Sequence, residues 1–188
     1  MNNGSIRQVA LLWCAASLQR AWFNSLKINH HRINEVSVVA PEDNKLLIRR
    51  LFEDVINTGD VDRADDLVAP DFVEHNPAPG HGPGLEGFKQ VVAMLRSAFP
   101  DLIITIDELI AEGDLVSVRL TARGTHGAPF QGIQPTGKRV EWGGISMIRI
   151  AGNKVVERWF HADSLGLMQQ IGAIPAPGVR PADSGGQP

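Results

Sequence analysis

The feature that most constrains the fold is a change of hydrophobic periodicity at Pro100. Upstream, apolar residues recur at helical spacing, whereas downstream they alternate with polar ones at a period of two, as in strands with one buried face. The strand candidates are 102–111, 115–125, 139–150 and 154–163. The turns Glu112-Gly113-Asp114 and Gly152-Asn153 are too short for parallel connections, which need a dozen or more residues. The second half is therefore predicted to form an antiparallel sheet.

The first half of the chain favours helices. Pro41 and the acidic residues after it suit a first helical turn, and Gly59 is the expected stop. Asp60 is the expected N-cap of a second short helix, which Pro70 ends. The predicted helices are 41–58, 60–68, 88–99 and 164–171, with an extended run at 71–75 and a Pro/Gly-rich loop at 76–84. Helices gathered on one face of a curved antiparallel sheet define an α+β domain.

The two ends of the chain differ in composition from its centre. Residues 1–40 hold four basic side chains and one acidic, and their apolar run 9–18 is shorter than the ~20 residues that a bilayer span requires. Beyond Pro175 the chain is rich in Pro, Gly and Ser. We therefore expect an N-terminal extension at 1–40 outside the core, a domain at 41–175 and a disordered tail at 176–188.

Charge and motif content exclude several classes of protein. A net charge of −3 argues against nucleic acid or a membrane surface as the partner, since both attract basic patches. Cys14 is the single cysteine, so no internal disulfide forms and a cytoplasmic location is expected. The six histidines lack metal-ligand spacing, and no Gly-x-Ser-x-Gly or Gly-x-Gly-x-x-Gly motif occurs. We therefore expect no zinc or iron site, and neither serine hydrolase nor dinucleotide chemistry.

The last predicted strand carries the sharpest candidate site. Trp159, His161 and Asp163 share one face of it, and Arg158 and the residues between them face the other way. An aromatic ring, an imidazole and a carboxylate on one face suit the wall of a small-molecule pocket. Asp163 is the candidate acid/base, although the same position suits an N-cap for the final helix. His161 would orient the ligand or, alternatively, serve as a hydrogen-bonded structural histidine.

Three further residues are candidates for substrate binding. Trp142 is expected to wall the pocket together with Trp159, unless both are ordinary core residues. His75 could donate a hydrogen bond to a substrate carbonyl. His126 follows Gly124-Thr125 at a strand end, where a structural role in the turn is the alternative.

Several motifs resemble one known family. The segments Gly124-Thr125-His126 and Phe130-Gln131-Gly132-Ile133-Gln134-Pro135-Thr136-Gly137-Lys138, and the ending Trp159-x-x-x-Asp163 with Leu167-x-Gln169-Gln170-Ile171-Gly172, are similar to those of SnoaL-like polyketide cyclases. These ester cyclases belong to the nuclear-transport-factor-2-like superfamily, and the resemblance covers about 44–175. It implies a cone-like curved sheet closed by three helices around an apolar pocket, and frequent dimerisation through the sheet.

The resemblance also implies a chemistry. The best-understood members close a ring by an intramolecular aldol reaction without a metal or cofactor, and an aspartate matching Asp163 is their general acid/base. We therefore expect a cyclase acting on a small apolar carbonyl compound. A ketosteroid-isomerase-like or epoxide-hydrolase-like enzyme and a non-catalytic small-molecule binding protein are the alternatives. Apolar residues on both faces of 102–110, such as Ile103 and Ile104, also predict a homodimer.

Overall fold

The computed structural model describes residues 41–175. The expected extension at 1–40 and tail at 176–188 lie outside the described residues. The helices are α1 (Pro41–Arg50), which continues as a π-helical segment over Leu51–Ile56, α2 (Ala64–Leu67), preceded by a 3₁₀ turn at Val61–Arg63, α3 (Leu85–Ala98) and α4 (Ser164–Ile171). The strands are β1 (Val68–Glu74), β2 (Ile103–Glu112), β3 (Leu115–Thr125), β4 (Arg139–Ala151) and β5 (Lys154–Ala162).

The strands form one five-stranded sheet in the order β1-β5-β4-β3-β2. β2 to β5 are antiparallel neighbours, as the tight turns predict. Gly152 and Asn153 both have positive φ, 57° and 60°, which is the backbone that a two-residue hairpin turn requires. The sheet and the helices together confirm the predicted α+β class.

β1 differs from its prediction in length and in pairing. It begins at Val68 and not at 71, and it runs parallel to β5 at one edge of the sheet. Pro70 therefore lies inside a strand, where it is tolerated because an edge strand has one unpaired side. The expected N-cap role of Asp60 is also wrong, since its side chain makes no capping hydrogen bond.

The two faces of the sheet have different environments. The inner face packs against α1, α2 and α3 and buries alternate residues of β3, namely Val116, Val118, Leu120 and Ala122. Full burial of one such aliphatic side chain stabilises the fold by about 1.5–3 kcal/mol. The outer face exposes Ile103, Ile110, Ile145 and Met147. The inner face therefore supplies the core and whatever site the core encloses.

Candidate active site

A cavity opens between the inner face of the sheet, α3 and the loop that follows β1. Its wide compartment has a volume of about 230 Å³ and reaches the loop residues 76–79 and the start of α4. A narrow compartment of about 80 Å³ lies further into the core, against Phe52, Ile56 and Leu120. The two compartments share the wall residues Phe88, Val91, Leu95, Trp142, Arg158 and Phe160. The cavity is therefore mostly apolar, as small-molecule sites usually are.

One ion pair interrupts this apolar lining. Arg158 Nε donates to Glu74 Oε2 at 2.5 Å, and the two side chains are only 13% and 6% exposed. The Arg158 guanidinium also lies 5.0 Å from the centroid of the Phe88 ring. A charge buried in apolar surroundings needs a partner, because desolvation otherwise makes it strongly unfavourable. The two residues therefore act as a unit that keeps a polar, charged wall inside the cavity.

The parallel pairing of β1 and β5 creates this ion pair. Glu74 stands in register with Arg158, and His75 N donates to the Arg158 carbonyl at 2.8 Å. The partners are 84 positions apart in the chain, so no local pattern links them. The sequence holds only a weaker signal: each charged residue shares its strand face with a large apolar residue two positions away, Phe72 for Glu74 and Phe160 for Arg158.

Asp163 is the N-cap of α4. Its Oδ1 accepts a hydrogen bond of 2.8 Å from Gly166 N, and its own N–H donates to the Gly143 carbonyl at 2.9 Å. The carboxylate packs directly on Gly166, where a Cβ would collide with it. The side chain is exposed, while the flanking residues Ala162 and Ser164 line the wide compartment. Asp163 is therefore not a wall residue of either compartment but lies between two residues that line the wide one. Its carboxylate has the capping geometry that was the structural alternative for this position.

The expectation that Trp159 and His161 line the pocket is wrong. The strand alternates as predicted, but Arg158, Phe160 and Ala162 form its inner face. Trp159 and His161 lie on the outer face, opposite Met147 and Ile145 of β4. The prediction chose the face with Trp159 and His161 because of their aromatic and basic side chains. In the structure the opposite face of β5 points inward, because Phe160 packs against the core.

His75 lies on the outer face as well. Its ring stacks on that of Trp159, with centroids 4.2 Å apart and planes 1° apart. Its Nε2 lies 3.4 Å from Glu157 Oε2. These contacts place His75 beside Trp159 and not beside the cavity. The expected approach of its imidazole to a substrate carbonyl is therefore not the arrangement in this structure.

Trp142 and His126 have different positions in the core. Trp142 is buried and lines both compartments of the cavity. His126 is fully buried near Phe99, and its Nδ1 lies 3.1 Å from Thr136 Oγ1. It is not a wall residue of either compartment. Of the six residues proposed from the sequence, Trp142 is the one in the cavity wall.

Two kinds of feature, a cluster of metal ligands and a membrane-spanning helix, are absent from the part of the chain that the structure describes. Residues 41–175 contain no group of three or more His, Cys, Asp or Glu side chains that could hold a metal ion. Within the same range no helix is both long enough and apolar enough to cross a bilayer.

A curved sheet with helices over one face, closed around a mostly apolar cavity, defines the nuclear-transport-factor-2-like class of α+β proteins. Within this class, the sequence profile of the SnoaL-like polyketide cyclases matches residues 46–171. The chain belongs to that family, as the motifs of its second half suggested.

Individual relatives agree with this assignment. The chain is 30% identical over 120 residues to nogalonic acid methyl ester cyclase of Streptomyces nogalater, covering 62% of this chain and 88% of that protein. It is 33% identical over 133 residues to aklanonic acid methyl ester cyclase DnrD of Streptomyces peucetius, covering 67% and 88%. The structure of TsrD from Streptomyces laurentii superposes with a TM-score of 0.66 at 29% identity, covering 72% of this chain and 99% of that one.

Proposed function

We propose that this protein is an ester cyclase that closes a ring in a small apolar carbonyl compound by an intramolecular aldol reaction. The observation that carries the proposal is the buried Glu74–Arg158 pair in the wall of a mostly apolar cavity. Two relatives that are methyl ester cyclases, those of nogalonic acid and of aklanonic acid, support the substrate class.

The proposed reaction is a rearrangement of bonds within one molecule. A base removes a proton from the carbon next to a carbonyl, and the resulting enolate carbon bonds to a second carbonyl carbon of the same substrate. The oxygen of that second carbonyl then takes up a proton. Substrate and product are isomers, and no electrons enter or leave. The chemistry therefore balances with acid/base groups alone, without a redox partner or co-substrate.

Arg158 is the proposed stabiliser of the enolate oxygen. Its Nε is taken by Glu74, and no hydrogen bond from residues 41–175 occupies its two terminal nitrogens. These N–H groups can donate to an oxygen in the cavity, and such charge-assisted bonds are strongest where water is excluded. Glu74 would hold the guanidinium in place. Because Glu74 is itself paired with a cation, it is better suited to positioning Arg158 than to removing a proton.

Asp163 is the proposed acid/base. Its Oδ1 is used in the cap of α4, but a carboxylate has two oxygens and about four acceptor sites, so Oδ2 can exchange a proton. Its place between two cavity-lining residues and the family resemblance support this role. His161, on the outer face, has no place in this mechanism, whereas Trp142 is proposed as a wall against which a flat substrate packs.

Turnover of a defined substrate tests the proposal. The protein is incubated with aklanonic acid methyl ester or nogalonic acid methyl ester, and the mixture is separated by chromatography with mass detection. The proposal predicts a new species of unchanged mass and shifted retention, formed faster than in buffer alone. Arg158→Met should reduce its formation. If both compounds bind and are recovered unchanged, the protein is a small-molecule binder and not a cyclase.

We further propose a homodimer formed through the outer face of the sheet. Ile103, Ile110, Ile145 and Met147 are exposed there among charged residues such as Arg119 and Arg123. Several exposed large apolar side chains on one face are typical of a contact surface. The cytoplasm is the proposed location, on the evidence of the single cysteine in the chain.

A further inference from the structure

Ser146 carries a buried hydroxyl without a partner. It lies in the middle of β4, in register with Val118 of β3 and Phe160 of β5, and its side chain faces inward. The residue is 2% exposed, and Ser146 Oγ makes no hydrogen bond to any described residue. Buried hydroxyls are nearly always hydrogen-bonded, since an unpaired one is unfavourable in apolar surroundings. The hydroxyl is therefore available to a group that residues 41–175 do not supply.

The surroundings of this hydroxyl define what that group can be. Ser146 lines the narrow compartment of about 80 Å³ and is not a wall residue of the wide one. The only other polar side chains in the narrow compartment are Arg158 and Trp142, both of which are donors; the rest of the wall is Phe, Ile, Val, Leu and Ala. Three donors in an apolar wall favour an oxygen that only accepts, which is the chemistry of a carbonyl.

We propose that Ser146 is the carbonyl-binding residue of an inner subsite in the narrow compartment. The edge of the ligand that carries a ketone or ester carbonyl reaches into this compartment, and Ser146 Oγ donates a hydrogen bond to the carbonyl oxygen. The choice of a carbonyl ligand rests on the proposed function, whereas the existence of a polar subsite rests on the unpaired hydroxyl.

The sheet geometry brings Arg158 near the same oxygen. Ser146 faces Phe160 across the β4–β5 pair, and Arg158 lies two residues from Phe160 on the same face of the sheet. Such diagonal neighbours are about 7–8 Å apart, so one carbonyl between them can accept from both side chains. A ligand anchored in this way has its inner end fixed, and the rest of it extends into the wide compartment, whose wall includes Ala162 and Ser164 on either side of Asp163.

A matched pair of probes tests the subsite without requiring turnover. 1-Tetralone, an aryl ketone, and tetralin, its hydrocarbon counterpart, are titrated into the full chain by calorimetry. The wild type should prefer the ketone by about three- to tenfold, the worth of one hydrogen bond. Ser146→Ala should lose most of this preference and bind tetralin at least as well as the wild type. Ser117→Ala is the control, because its hydroxyl is on the outer face of β3 and it should keep the wild-type preference.

A spectroscopic measurement tests the same hydrogen bond and does not depend on small changes in the stability of the Ser146→Ala variant. The carbonyl stretch of bound ¹³C-labelled tetralone, measured by infrared difference spectroscopy, should lie at lower frequency in the wild type than in Ser146→Ala. An unchanged ketone preference or an unchanged stretch in Ser146→Ala would overturn the proposal, and so would a wild type that binds neither probe. Asp163→Asn should retain the preference, so a failed cyclase assay and a failed subsite are separate results.

Discussion

Glu74 and Arg158 stand in register across the parallel β1–β5 pair, and their side chains form a 2.5 Å ion pair within the cavity wall. The parallel edge of the sheet thus brings together in the core a cation and an anion that are 84 positions apart in the chain. Removing one partner leaves the other charged and desolvated, whereas removing both does not. The pair should therefore behave as one energetic unit.

Glu74→Gln is predicted to lower the free energy of unfolding by about 3–5 kcal/mol, because Arg158 is left without its counter-charge. Arg158→Met should have a similar effect, and the double variant should lose far less than the sum of the two. Urea unfolding of the four proteins measures the coupling. Glu141→Gln is the matched control, because the Arg123–Glu141 pair has a short 2.6 Å contact but is 56% and 59% exposed. Its effect should be below about 1 kcal/mol. Equal losses in the free energy of unfolding for Glu74→Gln and Glu141→Gln would contradict the energetic coupling of Glu74 and Arg158.

The cap of α4 gives a second prediction. Asp163→Ala should lower the free energy of unfolding by about 1 kcal/mol, because Gly166 N loses its acceptor. Asp163→Asn keeps a side-chain oxygen and should lose clearly less. Chemical denaturation of the three proteins compares them. A loss of equal size in both variants would show that the charge of the carboxylate, and not its position as an acceptor, stabilises the helix.

Gly166→Ala tests the same contact from the other side. Alanine in a helix is normally favoured over glycine by about 0.5–1 kcal/mol, but here a Cβ would collide with the Asp163 carboxylate. The substitution should therefore destabilise the wild type and stabilise the Asp163→Ala variant. The same sign in both backgrounds would contradict the packing of Asp163 on Gly166.

The proposed dimer makes a third prediction. Ile145→Glu places a charge in the centre of the exposed outer face, where desolvation on association would be unfavourable. Light scattering at tens of micromolar should report a dimer for the wild type and a monomer for the variant. Glu112→Gln, at the end of β2, is the control and should remain dimeric. A monomeric wild type would reject the dimer.

The pH dependence of stability should include a contribution from Asp101. The backbone N–H of Thr125 at 2.6 Å and its hydroxyl at 2.8 Å donate to this carboxylate, and they lower the pKa of Asp101 from its usual 3.8. A lowered folded-state pKa means that the contribution is present above pH 3.8 and is lost as the pH falls through the folded pKa. The stability difference between the wild type and Asp101→Asn should therefore shrink below that pH. A difference in stability between the wild type and Asp101→Asn that stays constant down to about pH 2.5 would contradict the assignment.

Local pattern predicted the elements of this fold well. The bounds of β3 and α4 agree with the sequence prediction, because alternation, the Glu112-Gly113-Asp114 turn and Gly172 are all local signals. The parallel β1–β5 pair was missed because its partners are remote in sequence and β1 contains Pro70. Sequence alone favours no partner for such a strand.

The residues of the candidate site were predicted less well than the elements of the fold, because they too depend on contacts between segments that are remote in the sequence. Alternation along β5 correctly divides its residues between two faces of the strand. It does not indicate which of the two faces packs against the core. The face with Trp159 and His161 was predicted to line the pocket because tryptophan and histidine are common in binding sites. The inner face instead carries Arg158, and its buried charge is stable there because Glu74 pairs with it. The sequence does not identify Ser146 as a candidate site residue, because a single serine is common in strands and only the structure shows that its hydroxyl is buried.

The most direct test of the central claim is the rate of ring closure by Asp163→Asn. This variant keeps the shape of the side chain and an acceptor for Gly166 N, so its unfolding midpoint and ligand affinity should stay close to those of the wild type. With aklanonic acid methyl ester as substrate, kcat should fall by about 10²–10⁴-fold, the usual contribution of a positioned general acid or base. A folded Asp163→Asn protein that closes the ring at the wild-type rate would contradict the account.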